Sequence, residues 1–464
     1  MKKFFILTLL ITLIILPAYS KNKEETKTNL QDEKTLEYLN LDWWRKFNDD
    51  YLTDNLITVY KNNYDLKNAE LKIKENEKLV KMQFASELPF LGFSGDINRD
   101  LRTSMQQFGP AMQIPSYSQY NYYLPFTMGY EVDIWGSNRL KTKSVKEQLE
   151  IVKQAQRATY ISLTSDFSAD YFNLIKADKL LQIQDELVSI QEKIVSLTSE
   201  KYKAGLCSVN EVLAEESFLT SLKEERNKHK LTKDILEESM KVYLSFGNDE
   251  KITRNDYQNV TLLTNIPDGY NSTIIENRPD FKQEEANIRK IGFDVKVAKR
   301  EFLPKFTIVG QFGLNAYKLG NLLNSPSQFL NLGVMPSMDI FSGGRKMAFF
   351  KFKKFQYEEA LNDYQKTILE AIKEVNSGLL EYKTAMRNYE ESNSRLKTQT
   401  KIFELAKDKN NIGASGNIEL LYAQEAYLIS EKEEVSNKIN SIISTISLYK
   451  AAGGIDLYSL NQDI

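Results

Sequence analysis

The sequence predicts an α+β membrane protein that is built from two internal repeats. Short motifs in the first half of the chain recur in the same order in the second half. Long stretches without helix breakers are separated by short segments in which apolar and polar residues alternate. The chain has 464 residues, enough for two or three ordinary domains. Together these observations predict long helices and amphipathic strands, both present in each repeat.

Three pairs of motifs carry the repeat. In the first pair, Leu88-Pro89 recurs as Leu303-Pro304. In the second, Asp133-Ile134-Trp135-Gly136 recurs as Asp339-Ile340-Phe341 followed by Gly343-Gly344-Arg345. In the third, Gly205 followed by Glu211-Val212-Leu213 recurs as Gly413 followed by Glu419-Leu420-Leu421. A chain that contains two copies of one unit is a structural repeat first. We therefore look for function in what the two copies enclose, and not in a single catalytic pocket.

The N-terminus reads as an export signal. Lys2 and Lys3 precede an apolar run at 4–17, and Ala18-Tyr19-Ser20 fits a cleavage site of small residues. The run is too short to span a bilayer, so residues 1–20 are predicted to be a signal peptide. An uncleaved anchor is the alternative.

Composition argues against several classes of function. The 61 basic and 63 acidic residues leave a formal net charge of −2, so no basic face points to nucleic acid. The only cysteine is Cys207 and the only histidine is His229, which leaves little for a disulfide framework, a zinc site or a nucleophile–base pair. Because no Gly-rich phosphate loop of P-loop spacing is present either, we expect no enzyme and no cofactor.

Two long windows predict two very long helices. The stretch from Gly136 to Gly205 contains no other glycine and no proline, and the stretch from Gly344 to Gly413 contains only Gly378. A helix of roughly 65 residues would be about 100 Å long, which implies a coiled-coil-like arrangement. Two heptad stripes mark the first helix: Ile183, Leu187, Ile190, Ile194 and Leu197, and Leu181, Val188, Val195 and Tyr202.

Two stripes allow a helix to pack against a neighbour on each side, as in a tube of helices; a two-helix coiled coil is the alternative. Gly205 and Gly413 are predicted to end the long helices, and each is followed by a return helix. Shorter helices at 54–87 and 271–302 precede the two Leu-Pro copies. In the first half, the shorter helix and the return helix together match the long helix in length, so two short helices stacked end to end beside one long helix would make a uniform wall.

After each Leu-Pro copy the periodicity changes from that of a helix to strict alternation. The segments 91–97, 124–134, 306–315 and 330–340 are predicted to be strands with one apolar and one polar face. The polar face fits either solvent or the wet lumen of a membrane barrel, and an exported chain favours the barrel. Four strands cannot close a barrel, so several chains must contribute. The segments 100–120 and 316–328 read as exposed loops.

At this point the sequence resembles the TolC-like outer membrane efflux proteins, over nearly the whole mature chain. The matching residues include Trp43-Trp44 with Phe47, Leu88-Pro89, Tyr130 to Gly136, Tyr202 with Gly205, Arg278-Pro279-Asp280, Leu303-Pro304 and Gly343-Gly344-Arg345. Their order and spacing across both repeats make the match specific. The Trp-Trp start is most similar to the branch that serves drug and metal efflux pumps.

The resemblance implies a homotrimer in the outer membrane, with a 12-stranded transmembrane β-barrel, four strands per chain, continued by a long periplasmic α-helical barrel. It implies a periplasmic adaptor protein, hexameric and docked at the far end, and an inner-membrane RND or ABC pump. The segments then are a belt at 21–53, 248–270 and 453–464, barrel helices at 54–87 and 271–302, barrel strands at 88–135 and 303–341, and helical hairpins at 136–247 and 342–452.

In the family, the hairpin tips contact the adaptor and form a gate. The resemblance therefore assigns adaptor contact to Gly205, Leu206, Gly413 and Ala414, and a pore gate to Glu419 and, as its counterpart, Glu211. The alternative is that the glycines only end helices and the glutamates occupy first helical turns, where negative charge suits the dipole.

Two departures from the family pattern affect these assignments. The positions where some members lock the gate with a tyrosine and an arginine hold Asn410 and Ser415 here. No cysteine lies near the signal, where many members of the pump branch carry one for lipid attachment, so anchoring is expected to rest on the barrel.

The leading hypothesis is a passive exit duct for drugs, toxic compounds or metal ions. The same duct serving type I protein secretion is the second hypothesis, since the pump selects the cargo. A periplasmic coiled-coil scaffold without a pore is the third, and the four amphipathic strands argue against it.

Overall fold

The computed structural model describes residues 40–102, 105–106, 113–114, 116–264, 266 and 273–458. The predicted signal peptide, most of the belt segment 21–53 and the end of the C-terminal segment 453–464 lie outside the described residues. The helices are α1 Leu41–Arg45, α2 Asp50–Asn62, α3 Tyr64–Ala85, α4 Ser137–Lys203, α5 Val209–Leu244, α6 Thr273–Asn277, α7 Pro279–Arg300, α8 Arg345–Asn411 and α9 Asn417–Ala451. The strands are β1 Phe90–Phe93, β2 Asp96–Arg102, β3 Met105–Gln106, β4 Gln113–Ile114, β5 Tyr117–Glu131, β6 Lys305–Ala316 and β7 Gln328–Ser337.

The helical part is a wall in which each long helix lies beside two shorter ones. Helix α4 packs against α3 near the sheet and against α5 towards its far end, and α8 packs in the same way against α7 and α9. The two repeats meet where α4 contacts α7 and α9. Both α4 and α8 contain 67 residues, which at 1.5 Å per residue is about 100 Å.

The shorter helices meet end to end through one side chain in each repeat. Asn63 caps α3 by accepting from the Asp65 and Leu66 N–H groups, and its Nδ2 donates to the Tyr243 carbonyl at the end of α5 (3.1 Å). Arg278 precedes α7, and its Nη1 donates to the Ala451 carbonyl at the end of α9 (2.5 Å). Each of these two junctions satisfies a carbonyl that a helix end would otherwise leave without a partner.

Two predicted single helices are each broken in two. The helix expected at 54–87 is α2 and α3, because Asn63 is extended (φ −61°, ψ 132°) and its side chain starts a new helix. The helix expected at 271–302 is α6 and α7, separated at Arg278 (φ −63°, ψ 142°), because the residue before Pro279 is pushed out of the helical region. None of the helices in the described part of the chain combines the length and the apolar character needed to cross a membrane.

The sheet has four antiparallel rows, in the order of the chain. β5 pairs with β1 and β2 on one side and with β6 on the other, and β7 pairs with β6. The first row is interrupted between Phe93 and Asp96, where Ser94 faces Pro125. Ser94 N–H donates to the Pro125 carbonyl (3.1 Å), but proline has no N–H to return the bond.

The expected loop at 100–120 is shorter than predicted. β2 continues to Arg102 and β5 begins at Tyr117, so these strands form a hairpin that extends beyond the end of β6. The short pair β3 and β4 follows within the same segment. Alternation weakens there because Arg99 interrupts the apolar positions of β2.

An aromatic core lies where α1 and the end of α9 meet the middle of the helical wall. Trp43 and Trp44, both fully buried in α1, pack around Tyr449 of α9, and the Trp43 and Tyr449 rings stack at 5.0 Å. Phe47 packs against Phe172 of α4 at 5.4 Å. The Trp-Trp motif therefore fixes α1 to both repeats. Tryptophan has the largest side chain, so burying two of them gives a large apolar contact.

Candidate functional site at the hairpin tips

Both hairpins turn through the same backbone motif. At the first tip, the Leu206 N–H donates to the Lys201 carbonyl (2.9 Å) and Gly205 N–H donates to the Tyr202 carbonyl (2.9 Å). The second tip repeats these bonds from Ala414 and Gly413 at 2.8 and 3.0 Å. This is the Schellman ending, which requires a left-handed residue, and φ is +72° at Gly205 and +71° at Gly413. Both glycines therefore end helices, as the sequence predicts.

The tips also present apolar side chains to their surroundings. Leu206 is 75 % exposed and Ile412, just before the second turn, is 79 % exposed. Ala414 is exposed as well. An apolar side chain at each tip is a contact point available to another protein.

Glu211 belongs to the start of α5. Its carboxylate accepts from the Ser208 N–H (2.9 Å) and Ser208 Oγ (3.0 Å), and the Ser208 Oγ accepts from the Glu211 N–H. This is a capping box. The bonds from Ser208 hold the pKa of Glu211 below its usual value.

Glu419 and the two lock positions lie at the second tip. Glu419 is exposed in the first turn of α9, and its carboxylate folds back over Gly416, where an added Cβ would lie 2.6 Å from Oε2. Asn410 donates to the Ser415 carbonyl (3.3 Å) and to Asn417 Oδ1 (3.0 Å). Asn410 and Ser415 therefore brace the turn within one hairpin.

A cluster that the sequence did not reveal joins the two hairpins in the part of the helices nearest the tips. We call Glu215, Tyr422, Glu425 and Gln191 the tip cluster. The Tyr422 hydroxyl of α9 donates to Glu215 Oε1 of α5 (2.6 Å), and Gln191 Nε2 of α4 donates to Glu215 Oε2 (2.6 Å). One carboxylate therefore ties α4, α5 and α9 together.

Charge and burial shift the ionisation of the tip cluster. Burial, the hydrogen bond to Glu215 and the nearby carboxylates raise the pKa of Tyr422 to about 12. Burial and the charge of Glu215 raise the pKa of Glu425. Glu211 is among the carboxylates that act on Tyr422, so this predicted gate residue lies near the cluster.

A second set of ties lies further from the tips. Lys432 of α9 bonds Gln184 Oε1 of α4 at 3.1 Å and Glu225 of α5 at 2.5 Å. Lys179 of α4 pairs with Glu431 of α9 at 2.8 Å. Both hairpins are thus held together by polar contacts alongside an apolar seam that includes Ile183, Leu187 and Val435.

No single motif could have revealed the tip cluster, because Glu215 and Tyr422 are 207 residues apart. The repeat gave an indirect signal, since aligning Gly205 with Gly413 brings the starts of α5 and α9 to the same end of the helical wall. Within the residues described, no group of histidine, cysteine, aspartate and glutamate is arranged to hold a metal ion.

The fold and the tips define a class of protein: a sheet with one apolar face, continued by a long helical wall that ends in two matched turns. A family model described as outer membrane efflux protein matches residues 58–247 and 271–454, one match for each repeat. The chain belongs to this family. It is an outer membrane protein with a periplasmic helical extension and the outer membrane component of an efflux system, and its family is not one of enzymes.

Known relatives cover most of the chain. The toluene efflux pump outer membrane protein TtgC of Pseudomonas putida is 24 % identical over 418 residues, which is 89 % of this chain and 84 % of TtgC. The outer membrane protein OprJ of Pseudomonas aeruginosa is 24 % identical over 417 residues, 89 % of this chain and 86 % of OprJ.

Solved structures share the fold. The CmeC outer membrane channel of Campylobacter jejuni superposes with a TM-score of 0.81 at 25 % identity, covering 89 % of this chain and 88 % of CmeC. The outer membrane protein VceC of Vibrio cholerae superposes with a TM-score of 0.76 at 17 % identity, covering 89 % and 98 %. The family model and the relatives remove the pore-free scaffold from the hypotheses.

Proposed function

We propose that three copies of this chain form a passive exit duct for small molecules. The observation that carries this proposal is the sheet. It has four rows with an apolar and a polar face, and no other strand in the described part of the chain pairs with its edges at β1–β2 and β7. An open sheet edge is not tolerated in lipid. Three copies pairing β7 with the next chain's first row close a 12-stranded barrel. The long helices then continue the barrel as a tube across the periplasm.

The apolar face of the sheet supports its place in lipid. Phe93, Phe126 and Phe312 lie in register on this face, with ring centroids 4.8 and 5.0 Å apart. Ile308 and Val334 lie on the same face. The opposite face carries Gln311, Asn331 and other polar side chains, which suits a wet lumen.

The exposed tips support contact with a periplasmic adaptor. Gly205, Leu206, Gly413 and Ala414 lie at turns of matching geometry, so three chains would present six similar turns at the end of the tube. A hexameric adaptor would meet one turn with each subunit. The energy would come from an RND or ABC pump of the inner membrane, bound through the adaptor.

The gate would be formed by acids at the same end. Glu419, repeated by a threefold axis, would place three carboxylates around the pore, where they attract cations and repel one another. Glu211 caps α5 and would act on the gate indirectly, through the effect of its charge on Tyr422 of the tip cluster. We expect Glu419→Gln to weaken block of the reconstituted channel by divalent cations, and we would measure this as current at increasing Mg²⁺. Unchanged block would refute the gate assignment.

The relatives favour small molecules over secreted proteins as cargo. TtgC is named for toluene, and other relatives are named for antibiotic and solvent efflux. Type I protein secretion stays the second hypothesis for the same duct. Capture of the adaptor by crosslinkers at Leu206 and Ala414 in cells distinguishes the two, because the adaptor leads to the pump.

The duct itself is tested in planar bilayers. The full chain, extracted in detergent, is expected to run as a heat-sensitive trimer and to conduct ions once reconstituted. The heated, dissociated sample is the matched control. A trimer that never conducts, or a chain that stays monomeric in detergent, would contradict the proposal.

A further inference from the structure

The polar face of the sheet carries a pair of aromatic rings that neither lipid contact nor sheet pairing accounts for. Tyr123 of β5 and Phe329 of β7 are not neighbours, because β6 lies between them. Strands two apart are separated by about 10 Å. Yet the two rings stack, with centroids 5.2 Å apart and planes inclined by 18°. Both side chains therefore lean towards each other across β6.

Gly313 provides the space for this pair. It lies opposite Phe329 on β7 and opposite Pro125 on β5. A Cβ added at Gly313 would lie 2.1 Å from the Leu124 carbonyl oxygen, so β5 and β6 approach too closely there for any side chain. The rings thus meet over bare backbone.

A hydrogen bond fixes one ring of the pair. The Tyr123 hydroxyl pairs with Gln311 Oε1 at 3.2 Å, on the same face of β6 as Gly313. Tyr123 shares its face with Asn121 and Thr127, because side chains alternate along a strand. In the proposed duct this is the lumen side.

A third ring lies further along the same face. Phe90 lies opposite Gly129, and a Cβ added to Gly129 would be 2.2 Å from Phe90 Cε1, so the ring covers the glycine backbone. Phe90 is 62 % exposed. Gly129 and Tyr123 are six residues apart on β5, about 20 Å along the strand. The lumen side of each chain therefore has two aromatic positions at different depths.

We propose that the Tyr123–Phe329 pair and Phe90 are weak stacking sites for planar aromatic cargo moving through the duct. This inference rests on the proposed function, since it requires the polar face to line a lumen. Aromatic side chains bind flat rings through stacking, and bind flat cations also through the ring quadrupole. Conduction requires sites that are weak and several in number, so that cargo can both enter and leave.

The test uses the full-length channel in planar bilayers with ethidium as a planar aromatic cation. Tetraethylammonium, which has the same charge and no ring, is the control probe. We expect ethidium to interrupt the current of the unmodified channel briefly, and tetraethylammonium to do so less. Phe329→Leu and Tyr123→Leu should shorten the ethidium interruptions by about threefold to tenfold, whereas Tyr123→Phe, which keeps the ring, should retain them.

Phe93→Leu is the matched control variant, because Phe93 is an aromatic residue of the same sheet on the apolar face. It should leave the ethidium interruptions unchanged. Should Phe329→Leu fail to assemble, Phe90→Leu tests the second position independently. An unmodified channel that carries no current would refute the duct itself. A conducting channel that responds equally to both cations, or loses its ethidium response equally in Phe93→Leu, would overturn only the stacking sites.

Discussion

Single residues show how two repeats reach one geometry with different chemistry. Asn63 and Arg278 occupy corresponding junctions between stacked helices, and each donates to a carbonyl at the end of the helix beyond. A comparison of the two repeats by sequence could not show that Asn63 and Arg278 are equivalent, because one carries an amide and the other a guanidinium. The Arg278-Pro279-Asp280 motif is recognisable in the sequence, but its purpose follows from contacts with Glu374 and Ala451.

We expect Arg278→Gln to lower the free energy of unfolding by about 2 kcal/mol, because hydrogen bonds to charged groups are lost at a buried position. Arg289→Gln is the matched control: Arg289 also pairs with a glutamate, Glu147, but is 47 % exposed and should cost about 0–1 kcal/mol. Thermal unfolding of both variants in detergent measures the difference. Equal midpoints would contradict a structural role for the junction.

The same junction gives a pH dependence with a defined sign. Burial alone would raise the pKa of Asp280, but the Arg278 guanidinium holds it below the usual value. A carboxyl whose pKa is lowered by folding stabilises the folded state above its unfolded pKa of about 4, and this stability is lost as the pH falls through the lowered pKa. The unmodified chain should therefore lose stability below about pH 4 more steeply than Arg278→Gln. Parallel acid unfolding curves would argue against it.

At the scale of elements, the sequence predicted where the long helices end and which segments alternate as strands. It did not predict the contacts between elements. Gly205 and Gly413 end α4 and α8 as predicted, because a left-handed helix ending is written locally in the sequence. The alternation that predicted the four strands is equally local. The break at Asn63 was not predicted because asparagine is only weakly unfavourable in a helix. The tip cluster was not predicted because its residues are far apart in the sequence.

We expect Tyr422→Phe to increase the open probability of the reconstituted channel, because it removes the 2.6 Å bond that ties α9 to Glu215. Tyr202→Phe is the control, since Tyr202 lies at the same end of the helical wall and is 47 % exposed. Single-channel recordings measure both. If the Tyr422 and Tyr202 variants open equally often, the tie does not restrain the hairpins.

A charge at the first tip should stop efflux without disturbing assembly. Gly205→Asp adds a carboxylate where none of the described residues has an atom within 4 Å of the new Cβ, and aspartate tolerates positive φ better than most residues. Gly320→Asp, in the open loop between β6 and β7, is the control. Cells carrying each variant are compared for accumulation of a dye and for trimers on gels. Normal efflux by Gly205→Asp would remove the adaptor role of this tip.

At the scale of the whole molecule, the orientation of the sheet decides which of its faces would contact lipid and which would line the lumen of the proposed duct. Asn331 and Leu332 are adjacent on β7 and point to opposite faces. An arginine on a lipid-facing position near the middle of a bilayer costs about 2–4 kcal/mol, whereas the lumen accepts charge. We therefore expect Leu332→Arg to reduce the trimer in outer membranes and Asn331→Arg to leave it intact. The reverse ranking would mean that the faces are assigned the wrong way round.

The end-to-end junctions have a mechanical consequence. In each repeat a continuous 67-residue helix runs beside two helices that meet at a polar joint. The continuous helix resists a change of length along its side of the wall. The two shorter helices can tilt against each other at their junction with the loss of only one or two hydrogen bonds. We therefore expect sideways movement of the tips to be taken up at the height of Asn63 and Arg278. We expect the half of the wall next to the sheet to behave as a rigid collar while the half below swings.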